Sequence, residues 1–330
     1  MKRKDNSEGR ITLANYIAMA GLALLLTFSC LGLLYKTGGE WAISILVSVG
    51  ITALAGVLLW LMIKAKTAEN DLRKWRIVEY SALGLYILCA GLAFYYGGMM
   101  HFFSVNSDKE EIKKKANADL AKIDRMFSDF QSYEDDAVAQ ARASFKTFTS
   151  PGIEWSDALK SFMDEKRIDS NPESARMWID GRDEDLKEEF NNYYDQYKSE
   201  RSEVKGMVDG WSMLQIAINS DEIDRLAGVY AKVLSDLSRK EDVNIPVFHA
   251  DGGEYTFDGY AGRDFSVEGG VKSLEFRKAL METQPLSFMA VLVAVLVHAL
   301  ILFNYLMAIR TDVFWSKDDG QIDDDGGHTL

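Results

Sequence analysis

RIVEYSALGLYILCAGLAFYYGGMMHFFSV, Arg76 to Val105, runs without a proline into a charged segment that keeps an apolar stripe as far as Phe148. The first part is long and apolar enough to cross a bilayer, which takes about 20 such residues. In the second part Ile112, Ala116, Leu120, Ile123, Phe127, Phe130, Tyr133 (or Val138), Ala141, Phe145 and Phe148 recur mostly at three- and four-residue steps. That is the period of an amphipathic or coiled-coil helix. Lys113, Lys114, Asp124, Asp129, Asp135 and Asp136 take the other side. The stretch from Trp75 to Phe148 therefore reads as a membrane helix continuing into a long water-exposed helix. At ~1.5 Å per residue the exposed part extends on the order of 60 Å. Its one weak point is Gly97-Gly98, either a hinge or a close-packing contact. Ser150-Pro151-Gly152 ends it.

Three further apolar runs stand around this one. A short basic start, Met1 to Arg10, precedes Ile11 to Tyr35, a run too long for a signal-peptide core of roughly 7–15 residues. It is expected to be a retained membrane helix. After the loop Lys36 to Glu40 comes a second span, Trp41 to Ile63. Lys64 to Arg76 connects it to the third, about 76–105. Pro285 opens the last, Leu286 to Ile309. Basic residues gather on one side of this arrangement: Lys2, Arg3, Lys4 and Arg10, then Lys64, Lys66, Arg73, Lys74 and Arg76, then Arg310 and Lys317. The other side has only Lys36 in its short loop. The positive-inside rule then predicts cytoplasmic termini and an extracytoplasmic segment 106–284. The expected fold is mainly α, with four transmembrane helices in a 3+1 arrangement and a large helical extracytoplasmic domain carrying a small β-hairpin. The expected location is an integral cell membrane of the bacterial inner-membrane type.

Within the spans, small residues suggest packing faces. Ser44, Ser48, Thr52 and Gly56 recur every fourth residue, and Gly84, Gly91 and Gly98 every seventh. Helices in lipid approach through such faces, within one chain or between subunits. His298 and Asn304 lie inside the fourth span and Glu79 near the cytoplasmic end of the third. Intramembrane polar groups are functional candidates. The plainer expectation is that His298 and Asn304 hydrogen-bond across the bundle and Glu79 pairs with Arg76. His101, with Tyr95, Tyr96, Phe102 and Phe103, resembles an interfacial aromatic belt.

Between Pro151 and Gln284 the pattern predicts helices over Trp155–Lys166, from Asn171-Pro172-Glu173, over Asp183–Val208, Met213–Ile218 and Ile223–Leu237. A hairpin follows: Val243 to His249, a turn at Asp251-Gly252-Gly253, and Glu254 to Asp258. Tyr260 to Glu268 adds a short strand. A last helix, Val271 to Glu282, leads back to the membrane and is expected beside the long helix. Thr311 to Leu330 reads as an acidic, disordered cytoplasmic tail.

Charge and motif search bound the function. Asn106 to Gln284 holds 25 Lys+Arg against 38 Asp+Glu, so the whole net charge of −13 lies there. Such a surface disfavours nucleic acid as a partner. Cys30 and Cys89 sit in apolar spans and have no metal spacing. His249 near Asp251 has no nucleophile in register, so it makes no catalytic site. Tyr193, Tyr194 and Tyr197 read as core positions at helical spacing. Gly252-Gly253 and Gly269-Gly270 lack the Lys-Ser/Thr of a phosphate loop. No catalytic residue, cofactor or metal ligand is therefore expected. The leading expectation is a non-enzymatic scaffold or subunit of an envelope complex, its partners being membrane lipid and other envelope proteins or a second copy of itself. A receptor relaying ligand binding through the third span, and a transport or channel subunit, are the alternatives.

Overall fold

The computed structural model describes residues 2–68, 72–148, 157–169, 171–240, 247–251, 254–258, 263–265, 273–282 and 287–308. It is mainly helical and holds four helices long and apolar enough to cross a membrane. The chain divides into two compact units, residues 1–109 with 281–330, and Glu110–Leu280.

The first unit contains α1 (Lys2–Thr37), α2 (Trp41–Lys66), α3 (Leu72–Tyr96), α4 (Met99–Ser107) and, after the second unit, α11 (Phe288–Met307). The α1–α2 corner is made by Gly38 and Gly39, both at positive φ (65° and 96°), where a side chain would be strained. α1 is the central helix and packs against α2, α4 and α11. Leu25, Leu58, Met62, Tyr86, Met99, Val297 and Ile301 form the buried core. Outward positions such as Leu46, Trp60, Ile87 and Val295 remain largely exposed. In lipid, such residues face a solvent as apolar as themselves.

The expected continuous helix from Trp75 to Phe148 is interrupted twice. α3 ends at Tyr96, and Gly98 (φ 91°) is the left-handed N-cap of α4. A second break at Asp108 separates α4 from α5 (Lys109–Phe148). The aromatic belt expected around His101 is also corrected. Phe102 is buried, stacking on Tyr35 and Phe28, and His101 is buried too. Tyr95 and Tyr96 do stay exposed.

The second unit contains α5, α6 (Asp157–Glu165), α7 (Pro172–Gly210), α8 (Met213–Ile218), α9 (Glu222–Leu237), the strands β1 (Val247–Asp251) and β2 (Glu254–Asp258), and α10 (Phe276–Met281). The two helices expected after Asn171 are one, 39 residues long. Asn171 caps it, its Oδ1 accepting from the Ser174 N–H at 2.8 Å, and Pro172 occupies the first turn. Gly181, two residues before Asp183, weakens the helix without ending it. The stripe on α5 is buried from Ile112 to Phe145. It packs by aromatic rings: Phe127 stacks on Tyr197 at 4.4 Å between centroids, and Phe130 on Phe190 at 5.3 Å. Tyr230 of α9 and the buried Phe265 close the same cluster.

β1 and β2 pair antiparallel, with Phe248 opposite Phe257 and His249 opposite Thr256. The turn glycines, Pro246 and most of the strand expected at Tyr260–Glu268 lie outside the described residues, as does the C-terminal tail. The last helix of the unit is shorter than expected. Its start is fixed by Asp119 of α5, whose fully buried carboxylate accepts the N–H groups of Glu275 and Phe276, both at 2.7 Å. Lys122 adds bonds to Asp119 and to the Ser273 carbonyl.

Candidate functional site: polar contacts in the helical bundle and the helical domain

Several polar contacts cross between helices of the first unit. Tyr86 of α3 and His298 of α11 meet at 2.8 Å between the hydroxyl and Nδ1, with the rings edge-on. Asn304 of α11 donates to the Asn15 side chain of α1. Near the basic end, the Tyr305 hydroxyl donates to Glu79 at 2.7 Å, and Glu79 is buried. Lys66 lies over the Tyr305 ring at 4.5 Å and donates to the Tyr305 carbonyl at 2.7 Å, which satisfies a carbonyl of the last turn of α11. His298 and Asn304 thus bond across helices. Tyr305, Asn15 and Tyr86 are partners not singled out from the sequence; a tyrosine in a span carries no signal of its own, but Asn15 lies in the first span and could have been found by the reasoning that picked out Asn304.

The small residues split into two groups. Ser44 and Ser48 are fully buried, and with Thr52 their hydroxyls bond back to carbonyls four residues earlier, at 2.7–2.9 Å. They satisfy themselves within α2 and let α1 approach. Ser44 also reaches across, to Thr37 at 3.2 Å. Gly56 faces Leu22 at ordinary contact distance. Gly98 is a tight contact: a Cβ there would stand 2.5 Å from the Leu33 nitrogen, and one at Gly32 would stand 1.8 Å from the Gly98 oxygen. Gly21 is similarly pressed against Ile301. At Gly84 and Gly91, by contrast, an added Cβ would meet nothing within 4 Å among the described residues. Within the chain, Gly98 is the member of the seven-residue row pressed against another helix.

The second unit carries its own buried charges. Glu134 of α5 is almost fully buried, 4.0 Å from Lys187 of α7, and its Oε1 has no hydrogen-bond partner. Burial pushes its carboxyl up to about 7; Lys187 opposes this, and the nearby Asp183 and Asp135 add to it. Lys187 sits 2.7 Å from Asp183, and Arg142 bridges Asp180 and Asp183. Farther along, Asp124 takes a two-pronged bond from Arg201 and a third from the Tyr197 hydroxyl at 2.7 Å. Burial, then the Asp124 carboxylate, push the Tyr197 hydroxyl well above its ordinary range. Tyr197 is thus a core residue, as its spacing suggested, with its hydroxyl held by a carboxylate. Asp124, expected on the exposed face, is one end of an interhelical pair.

These clusters join helices; they do not converge on one cleft with a nucleophile and a base. Among the described residues no group of three or more His, Cys, Asp or Glu is placed to hold a metal. No protein-family model, curated protein or solved structure matches the chain.

Proposed function

We propose that this chain is a non-enzymatic membrane scaffold, a subunit of a cell-envelope complex whose helical domain binds partner proteins. The observation that carries the reading is the surface of α8. Met213, Leu214 and Ile218 are each about half exposed and share one short helix, whereas the exposed Met177 and Val229 lie on α7 and α9. Exposed apolar clusters on folded domains mark interaction sites. The corner leading into α8 is strained in support of it: Trp211 caps α7 with φ 45°, a left-handed conformation unusual for so bulky a residue. A polar groove of about 480 Å³, lined by Glu200, Glu203, Gln215, Asn219 and Arg225, runs beside this helix. An apolar patch with a polar margin is the usual anatomy of a protein interface.

In this reading the chain lies in a bacterial inner membrane with both termini cytoplasmic, a 3+1 order of spans, and residues 106–284 outside. The gathering of basic residues at one end of the spans supports that orientation. A phosphatase reporter fused at Gly152 is expected to be active and one fused after Ile309 silent. The reverse pattern overturns the topology. Affinity purification in mild detergent is expected to recover partners from wild type and to lose them in Leu214→Asp/Ile218→Asp. A monomer that brings down nothing, or partners indifferent to both substitutions, refutes the scaffold role.

A further inference from the structure

His298 stands at the middle of α11, about ten residues past Phe288. At ~1.5 Å per residue that is ~15 Å along the helix, the centre of a ~30 Å hydrocarbon layer. Polar groups at that depth have no water to turn to.

Proton counting fixes the tautomer. Tyr86 is buried, and His298 Nδ1 is the one hydrogen-bond partner of its hydroxyl among the described residues. Were the imidazole to donate, the hydroxyl proton would be buried without an acceptor, which costs more than a made bond returns. Tyr86 therefore donates, Nδ1 accepts, and the ring proton sits on Nε2. No acceptor for that N–H exists among the described residues.

Two cavities meet at this pair. One of about 320 Å³ lies between α2 and α3, walled by Val47, Ile51, Leu54, Leu58 and Cys89. The other, of about 530 Å³, opens between α3 and α11, walled by Ile87, Phe94, Val291, Val295 and Leu302. Tyr86, Ala90 and His298 line both. Among the described residues, neither is lined by an Asp, Glu, Lys or Arg. An apolar hollow of this size with one placed donor has the anatomy of a small-molecule site.

We propose that the Tyr86–His298 pair anchors a neutral lipophile bearing a carbonyl oxygen, of the ketone or quinone class. The hydrocarbon part fills the cavities, and the oxygen accepts from Nε2–H. A charged ligand would be buried without a counter-charge. A phospholipid carries its ester oxygens at the interface, ~15 Å from this depth. A pure hydrocarbon leaves the N–H unpaired. The site is independent of the partner surface on α8.

The test uses the full chain in phosphatidylcholine nanodiscs with two probes, decyl-1,4-benzoquinone and decylbenzene, followed by native mass spectrometry and by the infrared carbonyl band. Wild type is expected to bind the quinone about tenfold tighter than the hydrocarbon, the worth of one neutral hydrogen bond. The bound carbonyl band should move to lower frequency. His298→Phe should bring the two affinities together and abolish the band shift. Ala90→Phe fills the space shared by both cavities while keeping the polar pair, and should lose both probes with the melting temperature retained. Equal affinities in wild type overturn the proposal, as does a preference that survives His298→Phe or quinone binding undiminished in Ala90→Phe. A dimer that His298→Phe converts to monomers also overturns it, because another helix would then supply the acceptor.

Discussion

Replacing Glu134 with glutamine should stabilise the Glu110–Leu280 unit at pH 8 and leave it nearly unchanged at pH 4.5. Glu134 is buried between α5 and α7, and its carboxyl is pushed from 4.5 up to about 7, chiefly by burial. Between those two values the folded protein keeps the proton that the unfolded chain has released. The folded state is then favoured by low pH: the contribution is intact below about 4.5 and is lost as the pH rises through about 7. Above 7 the native state holds a buried charged carboxylate, one oxygen of which has Lys187 at 4.0 Å and no hydrogen bond. At about 1.4 kcal/mol per pH unit, the difference amounts to roughly 3 kcal/mol. Glutamine keeps the shape and, like the protonated acid, offers a proton toward Asp183. Amide hydrogen exchange in α5 and α7 of the full chain in detergent measures this directly. Wild type and Glu134→Gln are compared at the same pH, so the intrinsic exchange rates cancel. At pH 8 protection in the variant should rise by up to about a hundredfold, and at pH 4.5 the two should nearly coincide. Lower protection in the variant at pH 8, or a difference that does not change with pH, would refute the reasoning.

Other expectations follow from the close contacts. Gly32→Ala drives a methyl into the Gly98 carbonyl and should cost about 1–3 kcal/mol or more in detergent melting experiments. Gly98→Ala adds the strain of a positive φ, ~1–2 kcal/mol. Gly84→Ala, which meets nothing, should change stability by no more than about 1 kcal/mol, and toward greater stability. Asp119→Ala strands two backbone N–H groups and should cost about 1–3 kcal/mol, with faster exchange at Glu275 and Phe276; Asp119→Asn keeps an acceptor and should recover part of it. Arg201→Met breaks a pair that is partly exposed at both ends, and a loss under about 1 kcal/mol is expected.

Much of the architecture was legible in the order of residues along the chain. Four apolar runs, the stripe on α5 and the cap at Asn171 each rest on spacing within one segment, and local spacing is what a helix or a bilayer selects. The site was less legible. His298 and Asn304 stand out in the sequence because polar residues in lipid are costly. Which residues answer them depends on the packing of segments some 200 to 290 positions apart. Asp119 and Asp124 look alike on paper, and only the packing makes one a buried cap and the other an interhelical pair.

The Trp75–Phe148 stretch shows the division clearly. By itself the sequence determined that it is helical, that its first part suits a bilayer, and that a stripe of its second part is buried. It also marked Gly97-Gly98 as the one weak place. Only the tertiary structure decided what that place does. The backbone of α1 at Gly32 comes so close to Gly98 that no side chain fits at either position. The chain turns there through a left-handed residue, and the helix ends and restarts. A local pattern cannot reveal this, because the space that excludes a Cβ belongs to another helix. The same distinction separates Gly98 from Gly84 and Gly91, which share its spacing and leave room for a Cβ among the described residues.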